Sequence, residues 1–414
     1  LFFVAANGRV YPAPMSERER RPLDGIKVLD FSHVLAGPYC GRILCDLGAE
    51  VVKVEAPAGD VSRRLGARRA GISGYFMQQN CGKLNISIDL KKKEGRSLAG
   101  RLVKTADVLI ENFRPGAMLR AGLGPEASLA ANPGLVYCSI SGFGHQSSLR
   151  DRPAFAGIAH ATTGTLYRQG NFHSHDPEDS VLAIGDTVSG LHSVIAILAA
   201  LRLRESSGEG QFIDMAMHDA LLSIQECAHS YLFGEDGTEA DVFCSWVYRC
   251  GDEFVAMPSD PRANWDQLTA VMQRPELLAD ERYLTVEQRN ACLDELEAHV
   301  QAWVADEGSA DAVVEKLSKA ELPGARVLSL AEALDSGQVA ERAMAPEMDD
   351  RSGSTCRVLN TPYRFSNARA GVRGRPAYRG EHNREVLERW LAAESDEIDA
   401  LLGAGVLSDR LPRH

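Results

Sequence analysis

The chain has 414 residues, with 45 Lys and Arg against 57 Asp and Glu for a formal net charge of −12. That length exceeds one comfortable hydrophobic core, so two domains are expected. The acidic balance disfavours nucleic acid and anionic membrane as partners, while leaving room for a local basic pocket that takes an anionic ligand. Nine cysteines, an odd number with no CxxC pair, often sit inside apolar runs; they read as buried thiols in a reducing cytoplasm. The longest apolar run, Val194–Leu201, is too short to span a bilayer. The opening LFFVAA has neither the basic flank nor the cleavage site of a signal peptide, and Met15 reads as a natural start. No function is assigned to residues 1–14.

In chain order, Ile26–Phe31 (IKVLDF) predicts a buried strand, followed by the loop SHVLAGP, a helix over Tyr39–Leu47 closed by Gly48, and a strand at Glu50–Glu55. This is a βαβ unit. Its turn carries AGP where a dinucleotide fold needs GxGxxG, which argues against a nicotinamide dehydrogenase. Further strands are expected at Leu84–Leu90, Asp107–Glu111 and Leu135–Ile140, with an amphipathic helix over Glu94–Thr105. The strand at Asp107–Glu111 ends in Asn112-Phe113-Arg114-Pro115-Gly116, and the one at Leu135–Ile140 ends in SGFG. Strands alternating with helices to about residue 218 imply a mostly parallel sheet covered on both faces.

Within that region Ser180–Ile184 reads as a short strand ended by Gly185, with Asp186 capping a long apolar helix to Leu203. Ile195, Leu198, Ala199 and Leu201 are expected on its buried face. A carboxylate at a strand end beside a helix N-terminus lies where α/β proteins carry out chemistry, although most such aspartates are only caps. After Asp219 a helix over Ala220–Leu232 leads to the polar stretch 234–241. Strands at Ser245–Cys250 and Glu253–Met257 follow, with helices near Trp265–Met272, Ala291–Asp306 and Asp311–Ala320. From about Pro323 the chain is loop-rich, with helices at Leu330–Leu334 and Arg384–Ala393 and a strand near Arg357–Leu359. The expected organisation is a large domain over 22–219, a linker over 220–243, a small α+β domain over 244–322, and a return to the large domain over 323–414. His173 and His175, two apart on a polar loop, are a poor ligand set, and no metal site is expected.

Three stretches, PLDGIKVLDFSHVLAGPYCGRILCDLGAEVVKVEAP (22–57), GKLNISIDLKKKEGR (82–96) and ADVLIENFRPGAM (106–118), are joined by LVYCSISGFG and by the long run 185–222. In order over roughly residues 22–365, they resemble the family III CoA-transferases, the group that includes formyl-CoA:oxalate, carnitine and bile-acid CoA-transferases and α-methylacyl-CoA racemase. The resemblance implies a Rossmann-like large domain plus a smaller domain in ring-like subunits that interlock as a homodimer in the cytoplasm. It also implies an acyl-CoA and a small carboxylic acid as substrates, with coenzyme A and no metal. By position the family's nucleophilic aspartate falls on Asp186, which would attack the thioester to give an acyl-aspartyl anhydride.

By the same matching Val34, Leu35 and Ala36 would line the CoA channel, and Lys91, or its neighbours Lys92 and Lys93, would lie near the nucleotide. Asn112, Phe113 and Arg120 would hold the adenine and phosphate region, and Met217 would also touch CoA. The chain departs from the family at several positions. Leu35 stands where the formyl-CoA enzyme has glutamine, Ala56 replaces an arginine, and Ala156 stands where many members are acidic. The glycine run before Trp246 is missing. Phe155 replaces the racemase histidine, which disfavours a proton-swapping isomerase. His160 stands where glutamine is common and reads as either a structural hydrogen-bonder or a substrate contact. A CoA-binding protein without activity is the remaining alternative.

Overall fold

The structure, a computed structural model, describes residues 20–172, 176–226, 228–233 and 246–411, together with the backbone pairing of Phe2–Val4 with Val10–Pro12. It divides into two compact units, one of Leu1–Glu226 with Arg342–His414 and one of Cys227–Glu341.

The first unit is built on six parallel strands: β1 (Lys27–Asp30), β2 (Glu50–Glu55), β3 (Leu84–Ser87), β4 (Val108–Glu111), β5 (Val136–Ser141) and β6 (Gln211–Ala216). Their spatial order is β6-β5-β4-β1-β2-β3. The chain therefore builds outward from β1 in one direction and then crosses to β4 and continues in the other. Such a reversal opens a crevice at the C-terminal ends of β1 and β4.

Alternate strand residues feed two cores, because successive side chains point to opposite faces. Leu29, Val52, Ile86, Leu109 and Tyr137 face helix α3 (Lys93–Val103) through Leu98 and Leu102. Val28, Val51, Val108, Val136 and Cys138 face α1 (Ala36–Asp46) and α6 (Ile184–Ser207), through Ile43, Leu44, Val194 and Ile197. Three more helices surround the crevice or its approaches: α2 (Gly74–Asn80), α5 (Ala156–Thr162) and α7 (Met217–Leu222). The β4–β5 crossover carries a single helical turn at Ala117–Arg120 and then α4 (Pro125–Ala131).

The segment beyond Arg342 closes the sheet. Helices α8 (Asn383–Leu391) and α9 (Ser395–Gly403) add Val386, Leu387, Trp390 and Ile398 to the core on the α3 side. The edge strand β3 is also capped by this segment: the Asn85 amide donates to His382 Nδ1 at 3.1 Å and the Ser87 amide to Asn383 Oδ1 at 2.9 Å. These bonds occupy donors that a free sheet edge would leave open.

The second unit is α+β. An antiparallel sheet of Trp246–Cys250, Glu253–Met257 and Ala325–Arg326 packs on helices Trp265–Val271, Leu293–Asp306 and Ala310–Lys319, around Trp265, Tyr283, Leu296 and Val300.

Several sequence expectations need correction. Ser180–Ala183 is no strand; α6 already begins at Ile184, so Asp186 lies in its first turn and not at a strand end. Ile195 and Ala199 are exposed, and the buried stripe of α6 runs instead through Gly185, Ser189, Gly190, Ser193, Val194 and Ile197. This helix is long and apolar enough to cross a membrane by length and composition alone, but half of its apolar stretch is buried in the fold. The helix expected over Ala220–Leu232 is two, Met217–Leu222 and Ala228–Leu232. The stretch 234–241 and the His173, His175 pair lie outside the described residues.

Candidate active site

The turn between β1 and α1 forms the floor of the crevice, and almost every residue in it is held by a side chain. The Ser32 amide donates to Asp30 Oδ1 at 2.9 Å, and the Ser32 carbonyl accepts from Lys53 Nζ at 2.7 Å. Asn112, directly after β4, pairs with His33 twice at 2.8 Å: its Oδ1 accepts the His33 amide and its Nδ2 donates to the His33 carbonyl. The Val34 amide donates to Asp60 Oδ1 at 3.3 Å. These restraints hold Val34 at φ 65°, a left-handed conformation that a β-branched residue adopts only under constraint, at a cost of order 1–3 kcal/mol.

Two buried ion pairs lie beneath this turn, Lys83–Asp30 at 2.8 Å and Lys53–Asp60 at 3.0 Å. Burial by itself would raise the Asp60 carboxyl, but Lys53 and the Ser62 donors outweigh it and hold the group at about 2. The charges are fixed in place by mutual pairing, and the backbone they grip is the one that meets the crevice.

The turn delivers the amide of Ala36, the first residue of α1, to the Asp186 carboxylate. The amide of Ala156, the first residue of α5, is directed at the same carboxylate. Asp186 thus sits in the first turn of its own helix and opposite the starts of two others. Burial pushes its pKa above the ordinary carboxylate range, and the two amides pull it back. A half-buried carboxylate in this setting has two backbone donors favouring its charged form.

Behind Asp186, the Gly185 amide donates to Nε2 of the buried His160 at 3.0 Å, and His160 Nδ1 meets Asp179 Oδ1 at 2.7 Å. Met217, at the start of α7, packs against Gly185; a Cβ on that glycine would lie 3.2 Å from the Met217 sulfur. Tyr75 of α2 is near enough that, after burial, the charge of Asp186 is the next cause raising its phenol.

A cavity of about 440 Å³ opens onto these groups, within the usual size range of ligand pockets. It brings together Val34, Ala36, Asn112, Phe113, Arg120, Asp186 and Met217, seven of the nine residues singled out from the sequence. Arg114, Arg150 and Arg152 add positive charge to its wall, and Phe155 lies at its surface. The other two residues fall outside it. Leu35, immediately before α1, is buried without lining the cavity. Lys91 follows the edge strand β3, two strands from β1, and is exposed away from the cavity; Lys92 is bonded to the Ala404 carbonyl. Asn112 lines the pocket, but its amide is engaged with His33, so it positions the turn as well as facing the cavity. A second cavity of about 540 Å³, between Arg69 and Arg357, contains none of these residues.

Sequence reasoning missed Tyr75, Arg150, Arg152, the Ala156 amide and the Asp179 partner of His160. The two arginines stand in a loop, SSLRDRP, whose charge had no partner motif. The Ala156 contribution is a backbone group with no side-chain signature. Among the described residues, no cluster of His, Cys, Asp and Glu could hold a metal ion.

The model of CoA-transferase family III matches residues 23–383. The chain is 31% identical to the succinyl-CoA–D-citramalate CoA-transferase of Chloroflexus aurantiacus, over 95% of this chain and 100% of that protein. It is also 31% identical to the formyl-CoA:oxalate CoA-transferase of Streptomyces avermitilis, over 94% of this chain and 100% of that one. Among solved structures, a CAIB/BAIF family protein from Brucella suis superposes with a TM-score of 0.80 at 32% identity, covering 90% of this chain and 100% of that one.

Proposed function

The chain belongs to CoA-transferase family III, and on that footing we propose that it moves CoA from an acyl-CoA to a small carboxylic acid, with Asp186 as the nucleophile. The observation that carries this reading is the Asp186 carboxylate itself: half-buried, facing a basic-walled cavity, with the Ala36 and Ala156 amides acting on its charge.

In this reading Asp186 attacks the thioester carbonyl and the C–S bond breaks, giving an acyl-aspartyl anhydride and CoA thiolate. The thiolate attacks the Asp186 carbonyl, and the donor acid leaves as its carboxylate. The acceptor carboxylate then displaces the thiolate from Asp186, forming a second anhydride. Return of the thiolate to the acceptor's acyl carbon gives the new acyl-CoA and restores Asp186. No proton is consumed, so the cycle needs no general base at position 155, where Phe155 stands. Amides already aimed at Asp186 suit the oxyanions that form at its carbonyl, and the arginines at the wall suit the phosphates of CoA.

The test is mass-spectrometric: wild type with succinyl-CoA as donor and a panel of mono- and dicarboxylic acids as acceptors. Succinyl-CoA is chosen because the Chloroflexus relative's name specifies it. Asp186→Ala is expected to lower turnover by several orders of magnitude, on the order of 4 kcal/mol or more, while CoA binding persists. An alanine variant that keeps a tenth of wild-type turnover would remove Asp186 from the mechanism.

The proposal includes an interlocked homodimer. Support comes from apolar side chains left open to solvent on the first unit, among them Phe155, Tyr167, Val181, Leu182 and Ile195. Light scattering over a dilution series is expected to give about twice the 45.0 kDa of one chain throughout. A folded monomer at micromolar concentration would contradict the interlocked arrangement.

A further inference from the structure

The first amides of an α-helix have no partner within it and must find one elsewhere. In α6 the residue before the first turn is Ala183, which offers no capping side chain. The acidic residue in that turn is Asp186, and an acidic side chain at the third helical position commonly turns back toward its own N-terminus. Here no side-chain cap bond forms at the start of α6, and the charge of the Asp186 carboxylate is favoured instead by the first amides of α1 and α5. The unmet donor of Gly185, the second residue of α6, goes to His160 Nε2 at 3.0 Å.

Gly185 and His160 are both buried, so water is not an alternative acceptor for that amide. Accepting an N–H requires a lone pair on Nε2, which puts the ring proton on Nδ1. Nδ1 is 2.7 Å from Asp179 Oδ1, a carboxylate that also accepts the Ser180 amide at 2.9 Å. The approach of Asp179 depends on Gly157: a Cβ there would lie 2.8 Å from Asp179 Oδ2.

We infer that His160, set in one tautomer by Asp179, caps α6 in place of Asp186 and so leaves the Asp186 carboxylate free to face the Ala36 and Ala156 amides. His160 is on this view a positioning residue, and the inference rests on the transfer chemistry proposed above. With His160 replaced by an apolar residue, the Gly185 amide is left unpaired, and the acidic side chain in its turn is Asp186. The carboxylate is then drawn to its own helix and away from the cavity. Glutamine preserves the arrangement, because its Oε1 accepts from Gly185 while its Nε2 donates to Asp179.

The experiment compares wild type, Asp186→Ala, His160→Leu, His160→Gln and Gly157→Ala in the same CoA-transfer assay, with circular dichroism melts on each. His160→Leu is expected to lose on the order of 10- to 100-fold in kcat with KM for the acyl-CoA within about threefold of wild type. His160→Gln should recover to within about threefold of the wild-type kcat. Gly157→Ala, which moves Asp179 without touching the imidazole, should lower kcat several-fold and leave KM in place; it also serves if His160→Leu does not fold. The inference is overturned if folded His160→Leu turns over like wild type, if His160→Gln is as impaired as the leucine variant, or if Gly157→Ala keeps its full kcat. Failure of the transfer reading looks different: wild type moves no CoA, or Asp186→Ala stays active, whatever position 160 holds.

Discussion

Gly190→Ala tests whether the alignment of Asp186 depends on the seam between α1 and α6. Gly190 lies one turn beyond Asp186 on the buried stripe of α6. A Cβ there would sit 2.8 Å from the Ala36 carbonyl oxygen and 3.2 Å from Tyr39 Cδ1. The carbonyl is backbone and cannot swing aside, so the helices must part by about 0.6 Å to restore an ordinary 3.4 Å contact. Overpacking of this kind costs about 1–3 kcal/mol. Alanine returns up to about 1 kcal/mol through its better helix propensity, which leaves a net loss near ~1 kcal/mol. The kinetic effect should be larger relative to its cause. Ala36 is also the residue whose amide meets Asp186, and a misplacement approaching 1 Å can cost on the order of 100-fold. A kcat reduction of about tenfold is therefore expected, with KM for the acyl-CoA little changed. Urea denaturation gives the stability term and initial rates give the other. A variant that loses the stability but keeps kcat within about twofold would refute the link between the seam and the nucleophile.

Glu111, at the end of β4, gives a pH-dependent prediction. Burial pushes its carboxyl up to about 7, against the donors of Ser139 and Phe113, from an ordinary value of 4.5. Below pH 4.5 both folded and unfolded states hold the proton; between 4.5 and about 7 the unfolded state releases it first, so wild-type stability falls as pH rises and levels off above about 7. Glu111→Gln should match wild type near pH 4 and exceed it by about 3 kcal/mol near pH 8, by chemical denaturation at the two values; an equal difference at both would disprove the assignment. With Phe155 unable to carry a proton, a 2-methylacyl-CoA incubated with the enzyme in deuterated water should gain no α-deuterium by mass spectrometry, and rapid uptake would favour an isomerase.

Legibility from sequence followed burial. The strands β1, β2, β4 and β5 are short, mostly apolar runs buried along nearly their whole length, and such runs stand out between loops. β6, QFIDMA, mixes Gln211 and Asp214 with apolar residues because it lies at an edge, and that mixture carries no clear strand signal. SVLAI at 180–184 fails in the opposite sense: four apolar residues in a row say nothing about whether they are covered, and Val181 and Leu182 stand in solvent. Helix α6 is apolar nearly all round, so its hydrophobic residues could not identify the face that packs. The packed face is marked instead by small residues that the sequence analysis did not single out, since Ser189, Gly190 and Ser193 lie where α1 and the sheet come close. Asp186 was reached through the motif around it, whereas its two amide donors are backbone groups and carry no letter in the sequence. The His160–Asp179 pair spans 19 residues with no periodic relation, and only the fold brings its members together. Lys91 shows the reverse difficulty, a lysine among lysines whose neighbours the motif could not fix.

The late return of the chain to β3 bears on how the protein is made. Strands β1 to β6 have all left the ribosome once residue 216 is clear, yet α8 is encoded after the whole of Cys227–Glu341. At ~5–20 residues per second, the interval between residue 226 and residue 383 is about 8–30 s. Throughout it the first unit has its parallel sheet but lacks Val386, Leu387 and Trp390 against the α3 side, and the Asn85 and Ser87 amides have neither His382 nor Asn383. That nascent species, with an apolar face and an unpaired strand edge together, is the form of this protein on which chaperones and proteases have the longest time to act.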